Sequence, residues 1–199
     1  MKLPQPKTEG TVSVEQAIRQ RRTVRVYDPK ALELDQLSQL LWAAQGVTGR
    51  HGFKRAAPSA GALYPMDLYA VIGSQCVRQL EAGVYRYVAD GHMLERIADK
   101  DVRSDVARAS LSQAWMAEAP LNVVITAAYH RVTGKYGQRG VRYALIEAGH
   151  VGQNLFLQAE ALGLNAGIVG AFHDRRLAEV LLLPVRNEPL LIMPIGYAA

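Results

Sequence analysis

The 199-residue sequence predicts an α+β fold in which helices flank a mainly antiparallel or mixed central sheet. Helical and strand patterns intermix along the chain without regular βαβ alternation, which disfavours a purely parallel sheet. The stretch "VYRYVADGHMLERIA" predicts a β-hairpin that turns at Asp90–Gly91. No internal repeat and no Ser- or Pro-rich linker divides residues 1–199, so we expect one domain of ordinary size.

The first predicted elements are two helices, a loop and a strand. Residues 13–22 begin with Ser13 and carry Gln16 three positions later, a capping-box pattern at a helix start. The stretch "LDQLSQLLWAAQG" repeats leucine at helical spacing and ends at Gly46, in the C-cap position. Residues 46–65 are rich in Gly, Pro and Ala, which is typical of a loop, and "DLYAVIG" then predicts a strand.

The second half of the chain predicts further helices and strands. Residues 101–119 have a helical pattern that stops where Pro120 begins the strand "LNVVITAAY". The longest helical pattern in the chain runs from Arg139 to Leu162. An extended "LNAGIVGAF", a short helix over about 174–182 and a last strand, "PLLIMPIGYAA", follow it.

The long helix carries two glycines on one face, Gly149 and Gly152, and is apolar over most of its circumference. Glycine inside a helix costs about 1 kcal/mol relative to alanine, so two of them suggest that another backbone approaches closely there. That backbone could belong to the same chain. It could equally belong to a second copy, because a helix that is apolar on most sides needs cover all round.

The charge distribution favours local anion sites over a nucleic-acid surface. The net charge is +5, and arginine supplies 17 of the 23 basic residues. No block of five like charges occurs, so the basic residues do not form the continuous patch that nucleic-acid binding requires. We therefore expect no nucleic-acid partner.

Cysteine usage and the apolar segments bear on the compartment. The single cysteine, Cys76, cannot form an intrachain disulfide, and we interpret it as a small residue near a strand end rather than a catalytic thiol. The opening "MKLPQPKTEGTV" has no apolar core of signal-peptide length, and no run of 18 apolar residues occurs. These features predict a cytoplasmic protein with no membrane partner.

The standard catalytic and binding motifs are absent. The chain contains no phosphate-loop motif, no G-x-S-x-G elbow and no G-x-G-x-x-G after a strand, and its cluster "GVTGRHG" follows a helix instead. Its histidines lack the spacing of metal ligands, so we predict no metal site. The five are His51, His92, His130, His150 and His173.

The first unusual segment is "QRRTVRVYD", which contains Arg21, Arg22, Thr23 and Arg25. Arginines at a helix end can simply complement the negative end of the helix dipole. Arg25 lies beyond the helix, however, in a pattern that alternates like a short strand. Guanidinium groups and a hydroxyl on one face suit a phosphate monoester, which accepts bidentate hydrogen bonds.

Three further segments have unusual composition. Residues 57–69, "APSAGALYPMDLY", contain a run of small residues whose nearly bare backbone can approach a flat ring or an anion. Residues 134–140, "GKYGQRG", hold Lys135 and Tyr136 either on a mobile loop that supplies acid–base groups or in an exposed turn before a helix. Residues 166–172, "AGIVGAF", expose backbone N–H groups at a strand end.

Taken in order, these segments resemble the flavin-dependent nitroreductase superfamily, and most of all its azoline-dehydrogenase branch. The resemblance rests on "RRTVRVYD", "PSAGALYPMDLY", the stretch from "KYGQRG" to "AGIVGAF", and the terminal "PIGY". It implies an α+β nitroreductase-like fold over residues 1–199, an interlocked homodimer, and FMN bound at the dimer interface. No arginine or lysine follows the last strand here, whereas many members of the superfamily have one.

The resemblance also implies roles for individual residues. Arg21, Arg22, Thr23 and Arg25 match the positions that hold the FMN phosphate and pyrimidine side. Pro58, Ser59, Ala60, Gly61 and Leu63 match the loop that the partner subunit lays against the flavin. Ile168, Val169, Gly170 and Ala171 match the segment that runs along the isoalloxazine. Lys135 and Tyr136 match a pair implicated in azoline oxidation.

These residues lead to three hypotheses for function. The first is an FMN-dependent oxidoreductase that transfers a hydride between NAD(P)H and a small acceptor such as a nitroaromatic or quinone. Arg25 would stabilise negative charge near flavin N1 and O2, and the Gly170 amide would bond N5. The second is an azoline dehydrogenase that uses Lys135 and Tyr136, and the third is a flavin-binding module without turnover.

Overall fold

A computed structural model describes residues 1–49 and 53–199. The strands are β1 (Met66–Ile72), β2 (Gly83–Val88), β3 (Met93–Ala98), β4 (Leu121–Ala127), β5 (Asn165–Ala166) and β6 (Glu188–Gly196). The helices are α1 (Val14–Gln20), α2 (Leu34–Gln45), α3 (Arg103–Ala109), α4 (Trp115–Glu118), α5 (His130–Tyr136), α6 (Arg139–Ala161) and α7 (Asp174–Val180).

The strands form one antiparallel sheet in the order β3-β2-β1-β4-β6-β5. The hairpin of β2 and β3 is confirmed, and Gly91 supplies the positive φ of +99° that its turn requires. Ser13 caps α1 by accepting a hydrogen bond from the Gln16 N–H, as the sequence predicts. The α+β architecture with an antiparallel sheet is therefore confirmed.

Two layers of helices bury the two faces of the sheet. Alternate residues of β1 point to opposite faces, so Leu68 and Ala70 join the core under α2 and α6, while Tyr69 and Val71 join the core under α3, α4 and α7. All four side chains are at most 1% exposed. One face of α6, the helix around which the candidate site residues lie, is buried from Gly140 to Ala159.

Two predicted stretches have a different secondary structure. The helix predicted over 101–119 is wrong in its middle, because Leu111 and Ser112 adopt positive φ values and separate α3 from α4. The loop or turn predicted around Lys135 and Tyr136 is also wrong, since both residues lie in the last turn of α5. That helix ends at Gly137, which has a φ of +54° and donates its N–H to the Thr133 carbonyl.

The two segments predicted to be extended contain little regular strand. The segment after α1 makes only isolated bridges, from Thr23 to Ala166 and from Tyr27 to Ala198. In residues 164–172, β5 is two residues long, and Val169 adds a single bridge to Ile192. Both segments are thus held by a few specific hydrogen bonds rather than by a sheet ladder.

Membrane-spanning helices and metal-ligand clusters can be assessed only for the residues that the structure describes. Among residues 1–49 and 53–199, no helix is long and apolar enough to cross a membrane. No cluster of potential metal ligands is found in the same residues. His51 and the end of "GVTGRHG" lie outside the described residues.

Burial raises the pKa of the free thiol of Cys76, which disfavours the reactive thiolate.

Candidate functional site

The arginine corner, which we define as Arg21, Arg22, Thr23 and Arg25, lies where the chain leaves α1. Arg21 forms the C-cap of the helix, and Arg22 Nη1 donates to the Arg19 carbonyl at 2.8 Å. Arg22, Thr23 and Arg25 are exposed. The corner therefore presents guanidinium groups and a hydroxyl to solvent, as an anion site requires.

The flavin segment, which we define as residues 168–171, lies directly beside the arginine corner. The Val24 N–H donates to the Ala166 carbonyl at 3.0 Å, and the Gly167 N–H donates to the Pro194 carbonyl at 2.8 Å. Val169 then exchanges two 2.9 Å hydrogen bonds with Ile192 of β6. These bonds bring together two groups of predicted site residues that are far apart in the sequence.

Most of the flavin segment is open to a ligand. Ile168, Gly170 and Ala171 are exposed, whereas Val169 is buried. A Cβ atom at residue 170 would meet only Leu191 Cδ2, at 3.9 Å. Among the described residues, none accepts a hydrogen bond from the Gly170 N–H. This backbone donor beside a guanidinium corner fits a flat, anionic cofactor such as FMN.

The small-residue loop, which we define as residues 58–63, forms a second cluster. Its 3-10 turn over Ala60–Ala62 has φ values of +62° at Gly61 and +54° at Ala62. Tyr64 follows with a φ of +46°, and its N–H donates to Ser59 Oγ at 2.9 Å. Left-handed backbone at non-glycine residues costs about 1–3 kcal/mol each and is concentrated at functional sites.

The small-residue loop contacts Lys135 and Tyr136. A Cβ atom at Gly61 would lie 2.7 Å from Tyr136 Oη and 3.1 Å from Lys135 Nζ. Tyr136 is half-buried and packs edge-on against Tyr143 of α6, with ring centroids 5.2 Å apart, while Lys135 is exposed. A helix and an aromatic contact therefore position the predicted acid–base pair.

A buried carboxyl beneath the small-residue loop was not predicted from the sequence. Glu147 of α6 is 2% exposed and accepts a hydrogen bond from Gln45 Nε2 at 3.0 Å. Burial raises the pKa of Glu147, while the Ser59 hydroxyl, the Gln45 amide and the Arg55 charge lower it. The available signal was a lone acidic residue next to Ala144 and Ala148, which lie on the buried face of α6.

A cavity of about 270 Å³ lies next to the small-residue loop, with Leu63 in its lining. Its lining includes Arg55, Tyr64, Asp67 and Arg131. The Arg131 guanidinium donates to both carboxylate oxygens of Asp67 at 2.9 Å, so this pair is internally satisfied. Arg131 also lies on α5, the helix that carries the lysine–tyrosine pair.

The arginine corner and the flavin segment contact one side of α6, and the small-residue loop and α5 contact another. The Arg21 guanidinium lies 5.1 Å from the ring centroid of Phe156, and Ile168 Cδ1 lies 3.9 Å from a Cβ position at Gly152. The small-residue loop and α5 instead meet Glu147 and Tyr143. At 3.6 residues per turn, residues 147 and 152 are about 140° apart around the helix axis. The chain thus carries two separate half-sites. One is the arginine corner with the flavin segment, and the other is the small-residue loop with Lys135 and Tyr136.

The exposed surface of α6 carries an apolar stripe, which we define as Leu145, Ile146 and Gly149. Leu145 and Ile146 are each 51% exposed. A Cβ atom at Gly149 would meet nothing within 4 Å, and one at Gly152 would meet only side chains. Of the two alternatives for these glycines, the close approach of another backbone of the same chain is therefore wrong for the described residues.

This antiparallel sheet and its helical layers form a nitroreductase-like fold, which is the fold of an oxidoreductase family. The chain belongs to the nitroreductase family, whose family model matches residues 18–197. The predicted superfamily is thus confirmed.

Individual relatives agree with this assignment. "Putative nitroreductase MJ1384" of Methanocaldococcus jannaschii is 43% identical over 185 residues, which is 93% of this chain and 91% of that protein. The Microcin B17-processing protein McbC of Escherichia coli is 28% identical over 173 residues, 85% of this chain and 64% of McbC. The crystal structure of a "putative nitroreductase" from Ralstonia eutropha has a TM-score of 0.86 and 32% identity, covering 100% of this chain and 89% of that one.

Proposed function

We propose that the chain is an FMN-dependent oxidoreductase that transfers a hydride between NAD(P)H and a small acceptor such as a nitroaromatic or quinone. Bound FMN would supply the redox chemistry at its isoalloxazine ring. The observation that carries the proposal is the pair of half-sites on different sides of α6. Each offers part of what the cofactor needs, and residues 1–199 form one FMN-binding domain in this proposal.

The arginine corner would hold the anionic end of the cofactor. Arg21, Arg22 and Thr23 supply guanidinium and hydroxyl donors for the phosphate, and such charge-assisted bonds are the stronger ones in proteins. Arg25 would stabilise negative charge on the pyrimidine side. In the flavin segment, Gly170 would donate its free N–H to the ring, and the exposed side chain of Ile168 would cover part of it.

A second copy of the chain would supply the rest of the site. The small-residue loop, Pro58 to Leu63, would lie against the cofactor held by the partner, and Lys135 and Tyr136 would come with it. The apolar stripe on α6 supports a homodimer, because Leu145 and Ile146 are half exposed in one chain. In this arrangement each dimer has two identical sites.

Mixed dimers test this arrangement. Chains carrying Arg25→Ala and chains carrying Gly61→Leu, with different affinity tags, are co-expressed and the heterodimer is isolated. One of its sites then has both defects and the other has none, so it should bind one FMN per dimer with wild-type affinity. Each variant homodimer should bind weakly at both sites. A heterodimer that binds no better than the homodimers would contradict a site shared between copies.

Azoline dehydrogenation is the second candidate, favoured by the contact of both Lys135 and Tyr136 with Gly61 and by the similarity to McbC. Tyr136 Oη could exchange a proton with a substrate while the Lys135 ammonium stabilises the phenolate. Stopped-flow reduction separates the candidates: rapid bleaching by NAD(P)H supports the first, and bleaching only by a thiazoline peptide supports the second. FMN that is retained but reduced by neither indicates a binding module without turnover.

A further inference from the structure

Trp115, the first residue of α4, packs against the backbone that joins the arginine corner to the flavin segment. Its ring stacks on Tyr27 with centroids 6.4 Å apart and an interplanar angle of 24°. A Cβ atom at Gly167 would lie 2.9 Å from Trp115 Cη2. Tyr27 in turn donates its hydroxyl to the Pro194 carbonyl at 2.9 Å. The half-buried indole is therefore held on two sides.

The Arg25 guanidinium lies over this fixed indole, with Cζ 5.8 Å from the ring centroid. A cation within about 6 Å of an aromatic face is attracted by the ring quadrupole. Among the described residues, no carboxylate lies within ion-pair distance of Arg25, and none accepts a hydrogen bond from its guanidinium. The indole is thus the contact that orients an otherwise exposed side chain.

Orientation has a direct consequence for binding. A free arginine side chain loses rotamer entropy when it is ordered, and this loss weakens binding. An indole that orders Arg25 in advance reduces this cost at the moment of binding, while all the guanidinium donors stay available to an anion. A carboxylate partner would occupy those same donors.

We propose that Trp115 is a positioning residue that holds the Arg25 guanidinium ready for the anionic part of the cofactor. This inference rests on the proposed function, in which Arg25 binds FMN. It assigns to α4, a helix of four residues, a role in the site that its sequence does not indicate. The role passes through Arg25, and Trp115 need not touch the cofactor.

A double-mutant cycle on FMN affinity tests the proposal. Trp115→Leu should weaken FMN binding about two- to fivefold, the range of an exposed cation–π contact. In an Arg25→Gln background, the same change should have almost no effect, because the guanidinium is already gone. Trp115→Phe keeps an aromatic face and should restore most of the affinity. Equal losses in both backgrounds would mean that Trp115 acts by packing alone and would overturn the proposal.

A second measurement needs no cofactor and separates this inference from the proposed function. In the NMR spectrum of the cofactor-free protein, the Arg25 Nε–H should be shifted upfield by the indole ring. Trp115→Leu should abolish that shift, whereas Trp42→Phe, a change at the other tryptophan, should leave it intact. If wild-type protein binds no FMN, the proposed function fails, but the shift still decides whether Trp115 holds Arg25. An Arg25 signal that is the same with and without the indole would refute the positioning role.

Discussion

At the scale of single residues, Arg25 is the strongest individual test of the cofactor site. Its guanidinium has no carboxylate partner among the described residues. Arg25→Ala should therefore remove a charge-assisted hydrogen bond and weaken FMN binding by about 1.5–3 kcal/mol. Fluorescence titration of FMN measures the change. Arg78→Ala is the control, because Arg78 is paired with Glu33 on an exposed surface and should not alter the dissociation constant. An unchanged constant in Arg25→Ala would remove Arg25 from the site.

Glu147 provides a prediction about pH and stability. Because burial raises its pKa in the folded state, its stabilising contribution is complete below the unfolded value and is lost as pH rises through the folded value. Glu147→Gln removes this titration, and its new amide would add a hydrogen-bond donor next to Gln45, whose Oε1 is buried without a partner among the described residues. The free energy of unfolding should rise by about 1 kcal/mol near neutral pH.

Urea denaturation at several pH values between about 4 and 8 measures this effect. The stability gain of Glu147→Gln should grow with pH, whereas Glu179→Gln, at an exposed position of α7, should show no such growth. A gain that is constant across this range would mean that the carboxyl of Glu147 is not the titrating group.

The sequence indicates candidate site residues one by one, but it does not indicate which residues they contact. The arginine corner stands out in the sequence because three arginines and a threonine fall within residues 21–25, and Arg25 lies beyond the helix end. The contact of Gly61 with Tyr136 is invisible in the sequence, since it depends on how α5 folds back toward the small-residue loop. The sequence does not predict Glu147 as part of the site for a similar reason. Its burial becomes clear only from the positions of Gln45 and Ser59 in the structure.

At the scale of elements, the close approach of the arginine corner to the flavin segment depends on Gly167. A Cβ atom there would lie 2.9 Å from the Val24 carbonyl oxygen as well as from the Trp115 ring. Gly167→Ala should therefore force the segments apart and lower the free energy of unfolding by about 1–3 kcal/mol, as overpacking does. Gly170→Ala is the matched control, because its Cβ would make only an ordinary contact at 3.9 Å. Thermal denaturation of both variants measures the difference, and equal melting temperatures would contradict the close approach.

Glycine also explains why α5 was not predicted. Gly134 and Gly137 bracket the lysine–tyrosine pair, and glycines at this density indicate a loop on propensity alone. In the structure only Gly137 ends the helix, while Val132 is buried in the core and anchors it. Tertiary packing thus overrides local propensity. In residues 101–119 the sequence instead predicts one continuous helix, whereas Leu111 and Ser112 adopt a left-handed backbone that interrupts it.

At the scale of the whole molecule, the sequence predicts the fold class but not the sheet order. Among residues 1–49 and 53–199, only β2 and β3 pair as sequence neighbours through a short turn that the sequence reveals. The pairing of β4 with both β1 and β6 brings distant segments together and buries β4 completely. Long-range pairing of this kind leaves no local signal in the sequence.

The apolar stripe on α6 predicts that two copies of the chain assemble through this face. If a second copy covers Ile146, then Ile146→Glu places a charge in that interface and should convert the dimer to a monomer. Because each FMN site would need both copies, the variant should also lose FMN. Sedimentation velocity measures the mass against 21.8 kDa for one chain, and absorbance measures the flavin. Val185→Glu changes an equally apolar but fully exposed residue in the segment before β6 and should leave both unchanged. An Ile146→Glu monomer that still binds FMN as tightly as wild type would show that one chain suffices for the site.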